Sequence, residues 1–283
     1  MTASPARIAR LEHVNLTIPD QQVATLFYVV GLGLTRDPAL MVGLNNMWVN
    51  AGRSQFHLPT SPRGPQKLRG EIRLTLPDLD RAAQSLAMVA AQLDGTAFAW
   101  TRDAAGIDVT CPWGNRIRLV PPGDAADATE LGIKSVVFDV PAGTAAGIAA
   151  FYAELFGTES DLGEESGSPA AIVPCGPGQH LVFRESTEPV PPYDGHHIQI
   201  YISDFDRLRR LFEDRGLVSS DDGPKQFRIT DIVDPVGGDM LYQVEHEIRS
   251  LDHPMFARPL YNRNPDQTQP AYRPGRDAFA GTV

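Results

Sequence analysis

Alternating apolar and polar positions mark four short strands with similar residues. They read VNLTI at 14–18, IRLTL at 72–76, VVFDV at 136–140 and IQIYI at 198–202. Each is followed by a segment with apolar residues at helical spacing, then by turn-rich stretches and a final apolar strand. This pattern predicts one β-α-β-β-β unit of about 60 residues that occurs four times.

A second marker supports the repeat. The glycines near the end of each unit lie 62 residues apart and are Gly52, Gly114, Gly176 and Gly238. One unit cannot bury the face of its own sheet, so the units are expected to pair. The predicted modules are 8–60, 70–121, 131–186 and 195–246.

The stretch 121–130 is rich in Pro, Ala and Asp and has no apolar period, so it is predicted to be a linker. It favours pairing of neighbouring modules, with one domain at 8–121 and a second at 131–246. Residues 247–283 contain five prolines and no periodicity, but they are rich in aromatic residues. We expect them to form an extended arm. Its expected anchors are Met255, Phe256, Leu260 and Tyr261.

Charge and composition narrow the classes of function. There are 25 basic and 35 acidic residues, for a net charge of −10, which argues against a nucleic-acid partner or a polybasic membrane patch. The sequence contains no run of 18 apolar residues, so no membrane-spanning helix is predicted. The two cysteines and the absence of a secretory pattern predict a cytoplasmic protein. The expected partner is a small-molecule substrate, and a homodimer is the expected assembly because twofold dimers are the commonest.

Several motifs resemble the vicinal oxygen chelate superfamily, which includes glyoxalases, extradiol dioxygenases and antibiotic-resistance proteins. The matching residues are the HVNLTI start, the helix ending in GLGL, the QFHL strand and the DGHHIQIYI start. CPWGNRIRL and DPVGGDMLY resemble the closing turn of that superfamily. The resemblance covers residues 8–246 and implies an α+β fold of four βαβββ modules paired into two glyoxalase-like domains.

The resemblance also implies a divalent metal held in a cup by ligands from the first and last strands of the modules. Carried onto this sequence, it makes His13, His57 and Glu71 the predicted ligands. Two imidazoles and a carboxylate favour Fe(II), and they also suit Mn, Ni, Co or Zn. In the fourth module the last strand offers Tyr242 or Gln243, with Glu245 slightly later.

An alternative assembly joins the first module to the fourth. It would bring His13 and His57 beside His197, with Glu245 completing the set. In the pairing of neighbours, His197 is instead the candidate catalytic proton carrier, because the pKa of histidine is near neutrality.

Three functions follow from the resemblance. The first is an extradiol-type ring-cleaving dioxygenase acting on a catecholic or similar substrate that binds the metal through two adjacent oxygen atoms. The second is a glyoxalase-like lyase or isomerase acting on a small carbonyl compound. The third is a non-catalytic protein that binds a small molecule, as the resistance proteins of the superfamily do. The same scaffold serves all three, so the fold does not choose between them.

Overall fold

The computed structural model describes residues 8–40, 45–123, 130–262 and 270. In this part of the chain, short helices occur between strands that form two eight-stranded β-sheets, which confirms the α+β class. Among the helices described, none has the length and apolar character needed to cross a bilayer.

Each module contributes four strands. The first strands are Ile8–Asn15 (β1), Gly70–Thr75 (β5), Gly132–Pro141 (β9) and His197–Ile202 (β13). The last strands are Ser54–Pro59 (β4), Arg116–Val120 (β8), His180–Ser186 (β12) and Met240–Ser250 (β16). The strands between them are Thr35–Arg36 (β2), Asn46–Ala51 (β3), Ala99–Arg102 (β6), Ile107–Thr110 (β7), Asp161–Glu165 (β10), Ser168–Pro174 (β11), Val218–Asp221 (β14) and Gln226–Val233 (β15).

One helix follows the first strand of every module. The helices are Gln21–Ala24 (α1), Leu79–Val89 (α2), Ala145–Phe151 (α3) and Phe205–Asp214 (α4). Two of them continue as π-helical turns, Thr25–Gly31 after α1 and Tyr152–Phe156 after α3. The aspartate before α1 or α2 accepts hydrogen bonds from backbone N–H groups of the first turn, which would otherwise lack partners.

Within each module the first and last strands run parallel and are hydrogen-bonded to each other. The pairs are β1 with β4, β5 with β8, β9 with β12 and β13 with β16. A parallel pair needs a long crossover, and here the helix and the two middle strands supply it. Every module therefore places its first and last strands side by side.

The order of strands in the sheets differs from the pairing of neighbouring modules. One sheet runs β14-β15-β16-β13-β1-β4-β3-β2 and contains the fourth and first modules. The other runs β10-β11-β12-β9-β5-β8-β7-β6 and contains the third and second. The first strand of every module has a free edge that can pair with the first strand of another module. The linker at 121–130 therefore did not determine that β1 lies beside β13 and β5 beside β9. Independent folding of 8–121 and 131–246 stays a prediction.

The periodic glycines occupy turns that side chains would not tolerate. Gly52 has φ +59, and a Cβ there would lie 1.7 Å from the carbonyl oxygen of Leu131. Gly176 has φ +135, and its Cβ would lie 3.1 Å from the carbonyl oxygen of Ala9. All four periodic glycines have positive φ, so the 62-residue period reports turn geometry that favours glycine, and at Gly52 and Gly176 a close backbone approach adds to it.

The predicted C-terminal arm begins later than expected. Residues 247–250 continue β16, because that strand stays paired with β13 as far as Ser250. Beyond it, the ring of Phe256 contacts Tyr201 at 4.9 Å between centroids. The backbone carbonyl of Tyr261 accepts a hydrogen bond from Asn50, although the Tyr261 side chain is 53% exposed. Residues 263–269 and 271–283 of the arm lie outside the described part.

A buried tyrosine–histidine pair lies in the core of the second half of the chain. Tyr152 Oη and His246 Nε2 are 2.5 Å apart, and both side chains are fully buried. His246 Nδ1 donates to the carbonyl oxygen of Val244, so Nε2 is the acceptor for the tyrosine hydroxyl. Burial lowers the pKa of His246 to about 4, although the contact with Val244 opposes the shift.

This pair predicts acid sensitivity. The unfolded chain takes up a proton on His246 near pH 6.5, whereas the folded chain resists it down to about pH 4. The stability due to the neutral imidazole is therefore complete above pH 6.5 and is lost as the pH falls towards 4, by about 3 kcal/mol. Urea unfolding of the wild type and of His246→Gln at pH 7.5, 5.5 and 4.5 measures the contribution of His246 to the free energy of unfolding. The wild type should lose more stability than the variant, and equal losses would show that His246 does not contribute.

Candidate functional site

Two histidines of the first module meet around a tryptophan. His13 on β1 is fully buried, and its ring lies 5.6 Å from that of His57 on β4 in an edge-on arrangement. Trp48 on β3 stacks on His57 at 3.8 Å and meets His13 edge-on at 4.9 Å. Trp48 is 8% exposed, so it shields both imidazoles from water on that side.

A hydrogen bond fixes the tautomer of His57. His57 Nε2 lies 2.6 Å from Asn46 Oδ1 on the neighbouring strand β3. An amide oxygen only accepts, so Nε2 carries the proton and donates. Nδ1 is then the nitrogen whose lone pair can bind an ion, since a hydrogen bond at one ring nitrogen of a metal-binding histidine orients the other towards the metal.

His197 lies between two carboxylates of β16. Its Nδ1 is 3.3 Å from Glu245 Oε1, and its Nε2 is 3.5 Å from Glu247 Oε2. The Glu247 side chain is 4% exposed and that of Glu245 is 25% exposed. The fourth module thus supplies a histidine and two acidic groups, of which the better buried is Glu247.

Two arginines hold these carboxylates in place. Arg228 on β15 donates to Glu245 Oε1 at 2.5 Å and to Glu247 Oε2 at 2.6 Å. Arg249 pairs with Glu247 Oε1 at 2.5 Å and with the buried Glu12 at 3.3 Å. Burial lowers the pKa of Arg228, but its carboxylate partners outweigh burial and raise the pKa above its usual range. The guanidinium of Arg228 therefore stays charged.

Burial acts in the opposite sense at the far end of this network. It raises the pKa of Glu12, while the charge of Arg249 opposes the rise. The hydroxyl of Tyr201 also donates to Glu12 at 3.1 Å. Glu12 therefore takes up a proton more easily than a glutamate in water does.

Strand register shows which residues of the two modules are equivalent. In the first module Asn15, which lies two residues after His13, pairs with His57. In the fourth, Gln199 pairs with Glu247, two residues after His197. His57 and Glu247 therefore occupy the same position. Tyr242, Gln243 or Glu245 was expected at this position. Glu247 was not expected there, because His57 follows Gly52 by five residues and Glu247 follows Gly238 by nine.

Three imidazoles form the group that suits a metal in the described part of the chain. They belong to His13, His57 and His197, and their ligand atoms all lie within 4.8 Å of one another. Two nitrogens bound to one ion at about 2.1 Å are no more than about 4.2 Å apart. Small side-chain shifts would bring the group to that spacing, so these residues fit a transition metal that favours imidazole. The group is the one expected from the alternative pairing of the first and fourth modules.

Glu71, the third predicted ligand, lies elsewhere. It is on β5 in the other sheet, and it forms an ion pair with Arg73 at 3.0 Å. The structure therefore does not group it with His13 and His57. It groups His197, the predicted proton carrier, with them instead.

Comparison with known proteins supports the fold. No family model and no curated protein matches the chain. Among solved structures, glyoxalase I from Zea mays has a TM-score of 0.59 at 14% identity, over 85% of this chain and 92% of the maize chain. A "putative dioxygenase" from Bacillus subtilis subsp. subtilis str. 168 has a TM-score of 0.54 at 14% identity, over 89% of this chain and 88% of the other.

At this identity the likeness establishes architecture and leaves the reaction open. The repeated modules, the parallel pairing of their first and last strands, and the match along most of the chain all agree. They confirm the resemblance drawn from the sequence: the chain has the fold of the vicinal oxygen chelate superfamily.

Proposed function

We propose that the protein is a metal-dependent lyase or isomerase that binds a small carbonyl substrate through two adjacent oxygen atoms. The observation that carries this proposal is the group of His13, His57 and His197, with Glu247 at the position equivalent to His57. When bound, a divalent metal would act as a Lewis acid on the substrate oxygens.

The number of donors favours a reaction without O₂. Three imidazoles and Glu247 would supply four donors to a divalent ion. An ion that takes six donors would then have room for the two oxygens of the substrate and none for O₂. Beside this group, Trp48 stacks on His57 and shields it from water, and His197 Nδ1 lies 3.3 Å from Glu245 Oε1.

One observation favours the dioxygenase as the second candidate. Both oxygens of Glu247 are already engaged, one by Arg228 and one by Arg249. If Glu247 stays with the arginines, three imidazoles alone would hold the ion and a third position would remain open for O₂. Iron would then be the expected metal, and a catechol the expected substrate class.

Metal content tests the ligand set. His13→Ala, His57→Ala and His197→Ala should each lower the affinity for Ni(II) or Fe(II) by at least about 100-fold, since each removes a direct ligand. Competition with a chelator, followed by mass spectrometry of bound metal, measures this. Glu71→Gln is the matched control and should bind metal like the wild type. If Glu71→Gln loses the metal and His197→Ala keeps it, the ligands are His13, His57 and Glu71, as first predicted from the sequence.

The hydrogen bond at Asn46 generates a separate expectation. Asn46→Ala removes the acceptor for His57 Nε2 and should weaken metal binding about 10- to 100-fold, because the ring is no longer held in one tautomer. Asn46→Asp keeps an oxygen acceptor and should restore most of the affinity. Equal affinity in the wild type and Asn46→Ala would show that this contact does not orient the ligand.

Dependence on oxygen separates the two enzymatic functions. The metal-loaded protein should convert small α-oxo carbonyl compounds equally fast with and without air, and it should not consume O₂ with a panel of catechols. An oxygen electrode and anaerobic assays measure both. Ring cleavage with stoichiometric O₂ uptake would establish the dioxygenase. Wild-type protein that binds no divalent metal, even after anaerobic loading, would leave the non-catalytic binder.

A further inference from the structure

A cavity of about 220 Å³ lies between the helices of the first and second modules, and neither the fold nor the proposed function uses it. Its walls come from the end of the first helical segment, the first turns of α2 and the chain leading into it. Leu32, Leu34, Leu76 and Ala82 line it and are at most 5% exposed. An apolar cavity of about 150 Å³ is enough to hold benzene, so this one has room for a single ring or a medium-length alkyl chain.

Polar residues lie on one side of the cavity. Asp78, Arg81 and Ser85 line it together with Met88, which is 61% exposed. One Asp78 oxygen accepts from the backbone N–H of Arg81 at 2.9 Å, so this carboxylate caps α2. The guanidinium of Arg81 makes no ion pair or side-chain hydrogen bond with the described residues.

The fourth module contains the same motif in a different arrangement. The sequence DLDR at 78–81 recurs as DFDR at 204–207, each at the start of its helix. There, Arg207 Nε pairs with Asp204 Oδ2 at 2.8 Å. In the second module the equivalent pair is not made, and the arginine lines an apolar cavity instead.

We propose that this cavity is a binding site for a small apolar monocarboxylate, distinct from the histidine group. The apolar body occupies the space beside Leu32, Leu34 and Ala82, and the carboxylate pairs with Arg81. A guanidinium presents paired N–H donors that match the two carboxylate oxygens. Gly33 also lines the cavity, and the space beside it is open, because a Cβ at Gly33 would meet no atom within 4 Å.

Calorimetric titration of the full chain with octanoate, octanol and octylammonium tests the assignment. Octanoate should bind most tightly. Arg81→Gln should weaken octanoate about tenfold and change octanol less than about twofold, the effect of one charge-assisted contact. Arg207→Gln, the matched arginine of the fourth module, should leave all three affinities unchanged.

A second variant tests the location without removing charge. Ser85→Phe fills the cavity from its half-exposed side and should abolish binding of both octanoate and octanol, with the thermal unfolding midpoint as the check on folding. Octylammonium binding as tightly as octanoate would overturn the proposal, because Asp78 would then set the preference. Octanoate binding that survives both Arg81→Gln and Ser85→Phe, or no binding at millimolar concentration, would also overturn it.

Discussion

The parallel hydrogen-bonded pair formed by the first and last strands of each module is the constraint on which the rest depends. Side chains alternate across a strand, so this pairing puts residues from opposite ends of a 60-residue unit on one face at fixed spacing. His13 and His57 come together in this way. So do His197 and Glu247, because the same register holds in the fourth module. A shift of one residue in either pair would turn a donor to the opposite face.

The sequence was sufficient for the repeat and for the superfamily fold, because both leave periodic marks. Both features are local. Apolar and polar residues alternate because a strand has two faces, and glycine recurs because the turns need a positive φ. The pairing of modules leaves no such mark. All four first strands are short, apolar and β-branched, so β1 offers as good an edge to β13 as to β5. That ambiguity is why the sequence left both Glu71 and His197 as candidate partners of His13 and His57.

Glu247 was missed for a different reason. The closing turn of the fourth module precedes a strand of eleven residues, and its donor lies four residues further from the turn glycine than in the first module. Counting from the glycine therefore led to Tyr242 and Gln243. The burial of Glu12, Glu247 and Arg249 is also invisible in sequence, where EHEIR resembles an exposed charged strand. Such buried ion pairs are weak evidence for stability, because the cost of removing two charges from water offsets their attraction.

The place of the first module in its sheet has a consequence for biosynthesis. β1 leaves the ribosome well before its neighbour β13 and the following strand β16, because about 180 residues separate β1 from β13 along the chain. At about 5–20 residues per second, the nascent chain spends on the order of tens of seconds with one edge of β1 open. An open strand edge invites pairing with other chains. The strand that carries His197 also closes this edge, so a ribosome that stalls before residue 197 would release a chain with both an incomplete histidine group and an unpaired strand edge.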